Sequence, residues 1–183
     1  MTVIIDDEAQ RYPIGQFKWP TTFHDISRWI STIEEFPFRL IKLVSELSEE
    51  ELTWSYRKDG WSIRQIIHHC ADSHMQSLTR FKWALTEESP TIKAYHESLW
   101  AELSDSVTSS IAPSLSILDG LHERWVCLLN SLTSEELDKE FIHPEIKRAI
   151  KLKENIALYA WHCNHHFAHI ELALEQEGKY KSH

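Results

Sequence analysis

Apolar residues recur at intervals of three and four along four long stretches of the chain, which is the period of an amphipathic α-helix. The first stretch runs from about Thr22 to Leu47. Its apolar positions are Ile26, Ile30, Ile33, Phe36, Leu40, Leu43 and Leu47. Pro37 lies inside this stretch, and we expect it to kink the helix or limit it locally.

The other three stretches complete a set of helices that are each about twenty residues long. The second follows the capping box of Ser62 and Gln65, Ser-x-x-Gln, and runs to about Leu85. The third begins near Pro113 and ends at about Ser131, and the fourth covers roughly 152–175. This pattern predicts an all-α fold, a four-helix bundle.

A long connection separates the second and third helices. It reads "TEESPTIKAYHESLWAELSDSVTSSIAP", and we expect one short helix in it near Glu97–Leu103. Connections of this length in compact domains often cover a functional site.

The chain is predicted to form a single domain over residues 22–176. Residues 1–21 carry Pro13, Gly15 and Pro20 and are predicted to be an irregular segment that packs on the domain. Residues 177–183 are interpreted as a C-terminal tail.

The two halves of the chain resemble each other. Each contains a capping box after its first helix, with Ser48 and Glu51 in one half and Thr133 and Glu136 in the other. In each half an extended linker then leads to a histidine-bearing helix. We therefore expect a pseudo-twofold bundle in which the second and fourth helices meet at one end.

Composition and charge narrow the class of protein. The chain has 183 residues, is 42% hydrophobic and carries a net charge of −9, so a nucleic-acid partner is not expected. No apolar run approaches the roughly 20 residues of a membrane helix, and no membrane association is expected. Three cysteines without paired spacing predict a reducing, cytoplasmic location. Eight tryptophans and an apolar fourth helix favour a homodimer.

Histidines are the main candidate for chemistry. The segment "WHCNHHFAH" at 161–169 places His165 with His169, and His162 with His166, four residues apart on one helix. Either pair could bind one transition-metal ion if a third ligand came from elsewhere. The second helix offers His68, His69 and His74.

A helical wheel distinguishes the two pairs. His165 and His169 are embedded among apolar residues, whereas His162 and His166 lie between two apolar arcs, near Asn155. Burying two adjacent imidazoles requires partners, which a cation would supply. This favours His165 and His169, but the wheel does not show which arc faces the bundle axis.

Three segments closely resemble the YfiT-like branch of the DinB superfamily. They are "RYPIGQFKWP", "GWSIRQIIHHCADSHMQSLTRFKWALTEESP" and "WHCNHHFAHI", and the similarity extends from about Arg11 to Leu174. The resemblance implies a four-helix bundle that binds one divalent metal through three histidines. Carried over by motif, the ligands are His69, His165 and His169. Cys70 stands where that branch usually has an aliphatic residue.

The resemblance also implies a metal-dependent hydrolase in which the ion activates water for attack on a small-molecule substrate. A metal-dependent S-transferase that uses a low-molecular-weight thiol is an alternative, because relatives in the superfamily do this with the same ligands. A non-catalytic bundle that binds metal or a small molecule is a third hypothesis, and a structural dimerisation module is a fourth. We expect Zn or Ni as the single divalent ion, with Fe or Mn as alternatives.

Other residues are weaker candidates. Asp72, about one turn from His69, is the best candidate for a proton acceptor, although a supporting or solvated role is favoured for it over that of a base. Arg64 and Arg80 are interpreted as ordinary helix charges. Glu140 and His143 have the spacing of a di-iron motif but precede Pro144 in what we predict to be a loop.

Overall fold

The computed structural model describes residues 7–181. Its helices are α1 (Asp7–Arg11), α2 (Ile26–Val44), α3 (Ile63–Thr86), α4 (Glu97–Trp100), α5 (Ser104–Thr108), α6 (Ala112–Ser131), α7 (Ser134–Leu137) and α8 (Leu152–Glu175). Its strands are β1 (Glu140–His143) and β2 (Arg148–Lys151). A 3-10 turn at Glu51–Thr53 follows α2.

The four long helices form the predicted four-helix bundle. Helix α2 packs against α6 and α8, and α3 packs against the same two helices, so α2 and α3 lie diagonally across the bundle. Large side chains from different helices fill the space between them, including Phe36, Phe81, Trp125 and Ile156, which are fully buried. The all-α fold class is thereby confirmed.

Local sequence signals place the helix ends close to their predicted positions. The Ser62 hydroxyl accepts a hydrogen bond from the backbone of Gln65, whose side chain in turn accepts from the backbone N–H of Ser62. These reciprocal bonds satisfy two N–H groups at the start of α3. The capping boxes predicted at Ser48 and Thr133 also form. Helix α2 is shorter than predicted at both ends, and it continues through Pro37.

The prediction of a loop at Glu140–His143 was wrong. This segment is β1, which pairs with β2 in an antiparallel hairpin that places Phe141 opposite Ile150. Both of these side chains are buried while their neighbours in the strands are more exposed. Four-residue strands contain too few alternating positions for the period to be detected in the sequence. The long connection likewise contains two short helices, α4 and α5, rather than one.

The segments outside the bundle contact it where the structure describes them. Asp7–Arg11, predicted to be irregular, forms α1. The indole N–H of Trp161 in α8 donates to the carbonyl oxygen of Gly15 at 3.1 Å. The backbone N–H of Ser55 donates to the carbonyl oxygen of Tyr180 at 2.8 Å. Residues 1–6 and 182–183 of the two predicted terminal segments lie outside the described residues. Within the described part, no helix is long and apolar enough to cross a bilayer.

Candidate metal centre

Helices α3 and α8 carry five histidines into one cavity of about 740 Å³. The five are His69, His162, His165, His166 and His169. The aromatic side chains of Tyr56, Trp61, Tyr159 and Trp161 line the same cavity. Buried imidazoles from two helices therefore converge at the wall of one cavity.

The first group of convergent nitrogens belongs to His69 on α3 and to His162 and His166 on α8. One ring nitrogen from each lies within 4.8 Å of the other two. The Nε2 atoms of His69 and His162 are 3.2 Å apart. Two nitrogens bound at about 2.0–2.1 Å to one tetrahedral ion are separated by about 3.3–3.4 Å. The observed spacing fits two ligands of a common ion.

The second group, His165, His166 and His169, lies entirely on α8. Adjacent helical residues such as His165 and His166 point about 100° apart, which hinders binding to one ion. His169 donates through Nε2 to the carbonyl oxygen of Arg11 at 3.0 Å and stacks on Tyr56 with ring centroids 3.8 Å apart. One of its two nitrogens is therefore already occupied by the N-terminal segment.

The predicted ligands are divided between these two groups. His165 and His169 lie together, with ring centroids 4.1 Å apart. His69, however, is grouped with His162 and His166, and among residues 7–181 no group of this kind joins it to His165 and His169. His165 instead stacks on Trp161 at 4.3 Å. Trp161, one of the apolar neighbours that suggested a buried metal pair, thus covers His165.

Burial keeps these imidazoles neutral at neutral pH. Desolvation lowers the pKa of His69 and the pKa of His165 to about 4, and it lowers the pKa of His169 to about 3. The neighbouring His165 also lowers the pKa values of His69 and His169. Desolvation and the surrounding histidines hold the pKa values of His162 and His166 well below 6.5. A neutral imidazole has a lone pair available for a metal ion, so the electrostatics suit metal binding.

The Nδ1 of His166 supplies a further observation. It is buried without a hydrogen-bond partner among the described residues, as are those of His165 and His169. Burying an unpaired polar atom is costly, and such atoms usually mark a missing partner. Orphaned imidazole nitrogens at convergent positions are consistent with a bound cation.

A chain of histidines crosses the bundle and ends at this site. His122 Nδ1 lies 2.6 Å from the carbonyl oxygen of Ile33, and His122 Nε2 lies 2.7 Å from His74 Nδ1. His74 Nε2 lies 3.0 Å from His162 Nδ1. Ile33, His122, His74 and His162 belong to α2, α6, α3 and α8 respectively. We refer to His122, His74 and His162 as the histidine relay, and it connects all four long helices.

The carbonyl at one end of the relay fixes the proton positions along it. A carbonyl oxygen only accepts hydrogen bonds, so His122 carries its proton on Nδ1. Burial lowers the pKa of His122 to about 4 and that of His74 well below its usual value, so both rings are neutral. His122 Nε2 therefore accepts a hydrogen bond from the Nδ1–H of His74, and His74 Nε2 accepts one from the Nδ1–H of His162. His162 therefore presents an unprotonated Nε2 to His69.

Pro37 explains why the Ile33 carbonyl is free to anchor the relay. In an α-helix this oxygen accepts from the backbone N–H four residues later, and that residue is Pro37, which has no N–H. His122 supplies the missing donor from α6. The proline inside α2 thus creates a buried acceptor that a histidine on another helix satisfies.

His68 and Asp72 both lie outside the cavity that the five histidines line. His68 Nδ1 bonds to the hydroxyl of Ser114 at 2.8 Å, and His68 does not line the cavity. Asp72, one turn further along α3, is half-buried, and desolvation together with Asp105 raises its pKa to about 6. It is not among the residues that line the cavity either. The role predicted for Asp72 therefore has no geometric support.

Comparison with known proteins now identifies the family. The model of the DinB superfamily matches residues 32–170. The chain belongs to the DinB superfamily. The match spans all four long helices except the start of α2 and the end of α8, and it includes every histidine that lines the cavity.

The chain is also similar to several DinB proteins from bacilli. Relatives from Bacillus cereus strain G9842 and Bacillus thuringiensis subsp. konkukian strain 97-27, both provisionally named metal-dependent hydrolases, are 52% identical over 162 residues. Each alignment covers 87% of this chain and 92% of the relative. These names support a metal-dependent function for the site.

Two solved structures share the fold. YfiT from Bacillus subtilis, described as a probable metal-dependent hydrolase with an unusual four-helix bundle topology, has a TM-score of 0.89 and 42% identity. That match covers 92% of this chain and 98% of YfiT. A mycothiol-dependent maleylpyruvate isomerase has a TM-score of 0.62 and 16% identity over 84% of this chain and 63% of its own, which shows the fold alone.

Proposed function

We propose that this DinB protein is a hydrolase that depends on one divalent metal ion held by His69, His162 and His166. The observation that carries the proposal is the 3.2 Å separation of the His69 and His162 Nε2 atoms, with a His166 nitrogen converging on them, at the wall of a cavity large enough for a substrate. Three neutral ligands leave coordination positions open, as catalytic sites require. When bound there, the ion would act as a Lewis acid and lower the pKa of a water molecule.

The set inferred from the resemblance, His69, His165 and His169, stays a prediction. Two features support His162 and His166 in place of His165 and His169. The relay directs a lone pair of His162 toward His69, whereas the Nε2 of His169 donates to Arg11. One nitrogen each of His162 and His166 also lies within 4.8 Å of a His69 nitrogen, whereas among residues 7–181 no such group joins His69 to His165 and His169.

The remaining side chains orient the site. Histidine ligands are usually held in one tautomer by a hydrogen bond from their second nitrogen, and His74 accepts this bond from His162. The Ser73 hydroxyl lies 3.2 Å from the Tyr159 hydroxyl and 3.5 Å from His162 Nε2. The Tyr159 hydroxyl donates to the backbone carbonyl oxygen of Ser73 at 3.0 Å, so the Ser73 hydroxyl is the candidate donor to a substrate oxygen beside His162.

Breaking the relay is expected to weaken metal binding without removing a ligand. His122→Phe deletes the donor to the Ile33 carbonyl and leaves the His74 Nδ1–H without an acceptor, so the tautomer of His162 is no longer fixed. We expect the affinity for Zn²⁺, measured by competition with a chromophoric chelator, to fall about 10- to 100-fold.

The matched variant His122→Gln separates orientation from packing. Its amide can donate to Ile33 and accept from His74, so we expect nearly wild-type affinity. His68→Phe, which removes a buried histidine outside the relay, should also leave the affinity unchanged. Equal losses in His122→Phe and His122→Gln would contradict the relay.

Turnover tests the hydrolase itself. The protein loaded with Zn²⁺, Ni²⁺, Fe²⁺ or Mn²⁺ is assayed against small ester and amide substrates and, separately, for transfer of a low-molecular-weight thiol. We expect ester or amide hydrolysis that a chelator abolishes. Thiol transfer without hydrolysis would replace the proposal by an S-transferase, and metal binding without either reaction would leave a binding bundle.

We also propose a cytoplasmic location and a homodimeric assembly. The three cysteines are free, with Cys70 and Cys163 buried and Cys127 exposed, which suits a cytoplasmic protein. The predicted homodimer would be detected as twice the chain mass by light scattering.

A further inference from the structure

Arg80 is a buried cation that lacks a counter-ion. It lies near the C-terminal end of α3 and is only 7% exposed, yet it lines the same cavity as the histidines. No carboxylate of the described residues lies within 4.0 Å of its guanidinium, and its Nε is buried without a hydrogen-bond partner. The interpretation of Arg80 as an ordinary helix charge therefore does not hold, because such a charge would be solvated. A buried charge usually requires a partner.

The position of Arg80 relative to the histidines defines the length of the cavity. Eleven residues separate it from His69, which corresponds to about 16 Å along the helix axis. Helical side chains lean toward the N-terminus, so the long arginine side chain extends back toward His69. The Ser73 and Tyr159 hydroxyl groups line the cavity as well. An elongated small molecule could contact both ends.

The groups around Arg80 leave its charge uncompensated. Burial and the Arg80 charge lower the pKa of His143, which favours its neutral form, and the Nδ1 of His143 is buried without a partner. Burial raises the pKa of Tyr95, so its phenol stays protonated. Glu97 and Glu145 line the cavity but are exposed to solvent and form no ion pair with Arg80. Arg80 is thus a buried cation near neutral groups that can form hydrogen bonds, while the carboxylates that line the cavity are exposed to solvent.

We propose that Arg80 binds the carboxylate of an anionic small-molecule substrate whose reacting group lies at the histidines. This inference rests on the proposed function, whose site it extends. The planar guanidinium matches a carboxylate through two parallel hydrogen bonds. A monoanion balances the single charge of Arg80, whereas a phosphate dianion would exceed it.

The test compares three probes that each contain six carbons, hexanoate, hexanamide and hexyl phosphate, by isothermal titration calorimetry with the full chain at measured metal content. We expect hexanoate to bind more tightly than both other probes. In Arg80→Gln its affinity should fall about tenfold or more, because hydrogen bonds to a charged group are strong. Hexanamide binding should be similar in both proteins.

Two further variants make the result specific. Arg124→Gln removes an exposed arginine of α6 that does not line the cavity, and it should bind hexanoate as the wild type does. Arg80→Lys retains the charge without the planar fork and should show an intermediate affinity. We expect His162→Ala to lose the metal ion but to keep the part of hexanoate binding that depends on Arg80. A failure of the carboxylate proposal can therefore be distinguished from a failure of the proposed metal site.

Several outcomes would overturn the inference. One is equal hexanoate affinity in the wild type and in Arg80→Gln. Hexanamide that binds the wild type as tightly as hexanoate would do the same, and this comparison needs no variant that must fold. Tighter binding of hexyl phosphate would show that the anion is a phosphate and would refute the carboxylate.

Discussion

Replacing His162 by alanine is expected to abolish stoichiometric binding of a divalent ion, while replacing His169 is not. In the proposed set His162 provides one of three nitrogens, and its Nε2 is directed at His69 from 3.2 Å. Loss of a supporting residue alone costs about 10- to 100-fold in affinity, so loss of a ligand should exceed about 100-fold. Metal content after dialysis against Zn²⁺ or Ni²⁺ measures the effect.

The matched controls come from the same helix. His165→Ala and His169→Ala remove imidazoles of the same cavity, and both should retain about one ion per chain. His69→Ala should lose the ion in parallel with His162→Ala. Retention of the ion in His162→Ala together with its loss in His165→Ala and His169→Ala would instead establish the set inferred from the resemblance.

The fold could be predicted largely from local patterns. Three of the four long helices begin and end within about one residue of their predicted limits, because Ser62 caps α3, a proline lies in the first turn of α6, and apolar periodicity continues to Glu175. The β-hairpin could not be predicted, since its formation depends on burying Phe141 and Ile150 against the bundle. The diagonal placement of α2 and α3 is likewise a property of packing between distant segments.

The candidate site could be predicted only in part. The family resemblance placed the candidate ligands on α3 and α8 and selected His69 over His68, and in the structure His69 lines the cavity while His68 does not. The wheel favoured His165 and His169 because their neighbours are apolar. One of those neighbours, Trp161, stacks on His165, whereas the polar border containing His162 and His166 faces α3. Polar residues buried at the centre of a bundle were the informative signal.

The relay illustrates a feature that single elements do not reveal. Pro37 was expected to disturb α2, yet in the structure it releases the Ile33 carbonyl for His122. The Ile33 carbonyl orients the relay only because α6, α3 and α8 place His122, His74 and His162 within hydrogen-bond distance of one another. Four widely separated residues therefore act together, and none of them carries a recognisable motif by itself.

Mild acid is expected to destabilise the protein strongly. Burial, the dominant cause, lowers the folded-state pKa of His69, His122 and His165 to about 4 and that of His169 to about 3, against an ordinary value of 6.5. A lowered folded pKa means that the unfolded chain binds the extra protons. Stability is therefore fully present above pH 6.5 and is lost as the pH falls from there toward about 4.

The size of the acid effect follows from the number of neutral histidines. Between pH 7.5 and 5.5 each of these four should cost about 1.4 kcal/mol, or about 5 kcal/mol in all, which is comparable with the whole stability of many domains. Asp72, whose pKa is raised to about 6, opposes this trend as a single half-buried group. Guanidinium unfolding of metal-free protein, followed by tryptophan fluorescence, measures the change. In His122→Gln the number of protons taken up on unfolding should fall by about one. If the free energy of unfolding of the wild type changes by less than about 1 kcal/mol between pH 7.5 and 5.5, the histidines titrate freely within the fold.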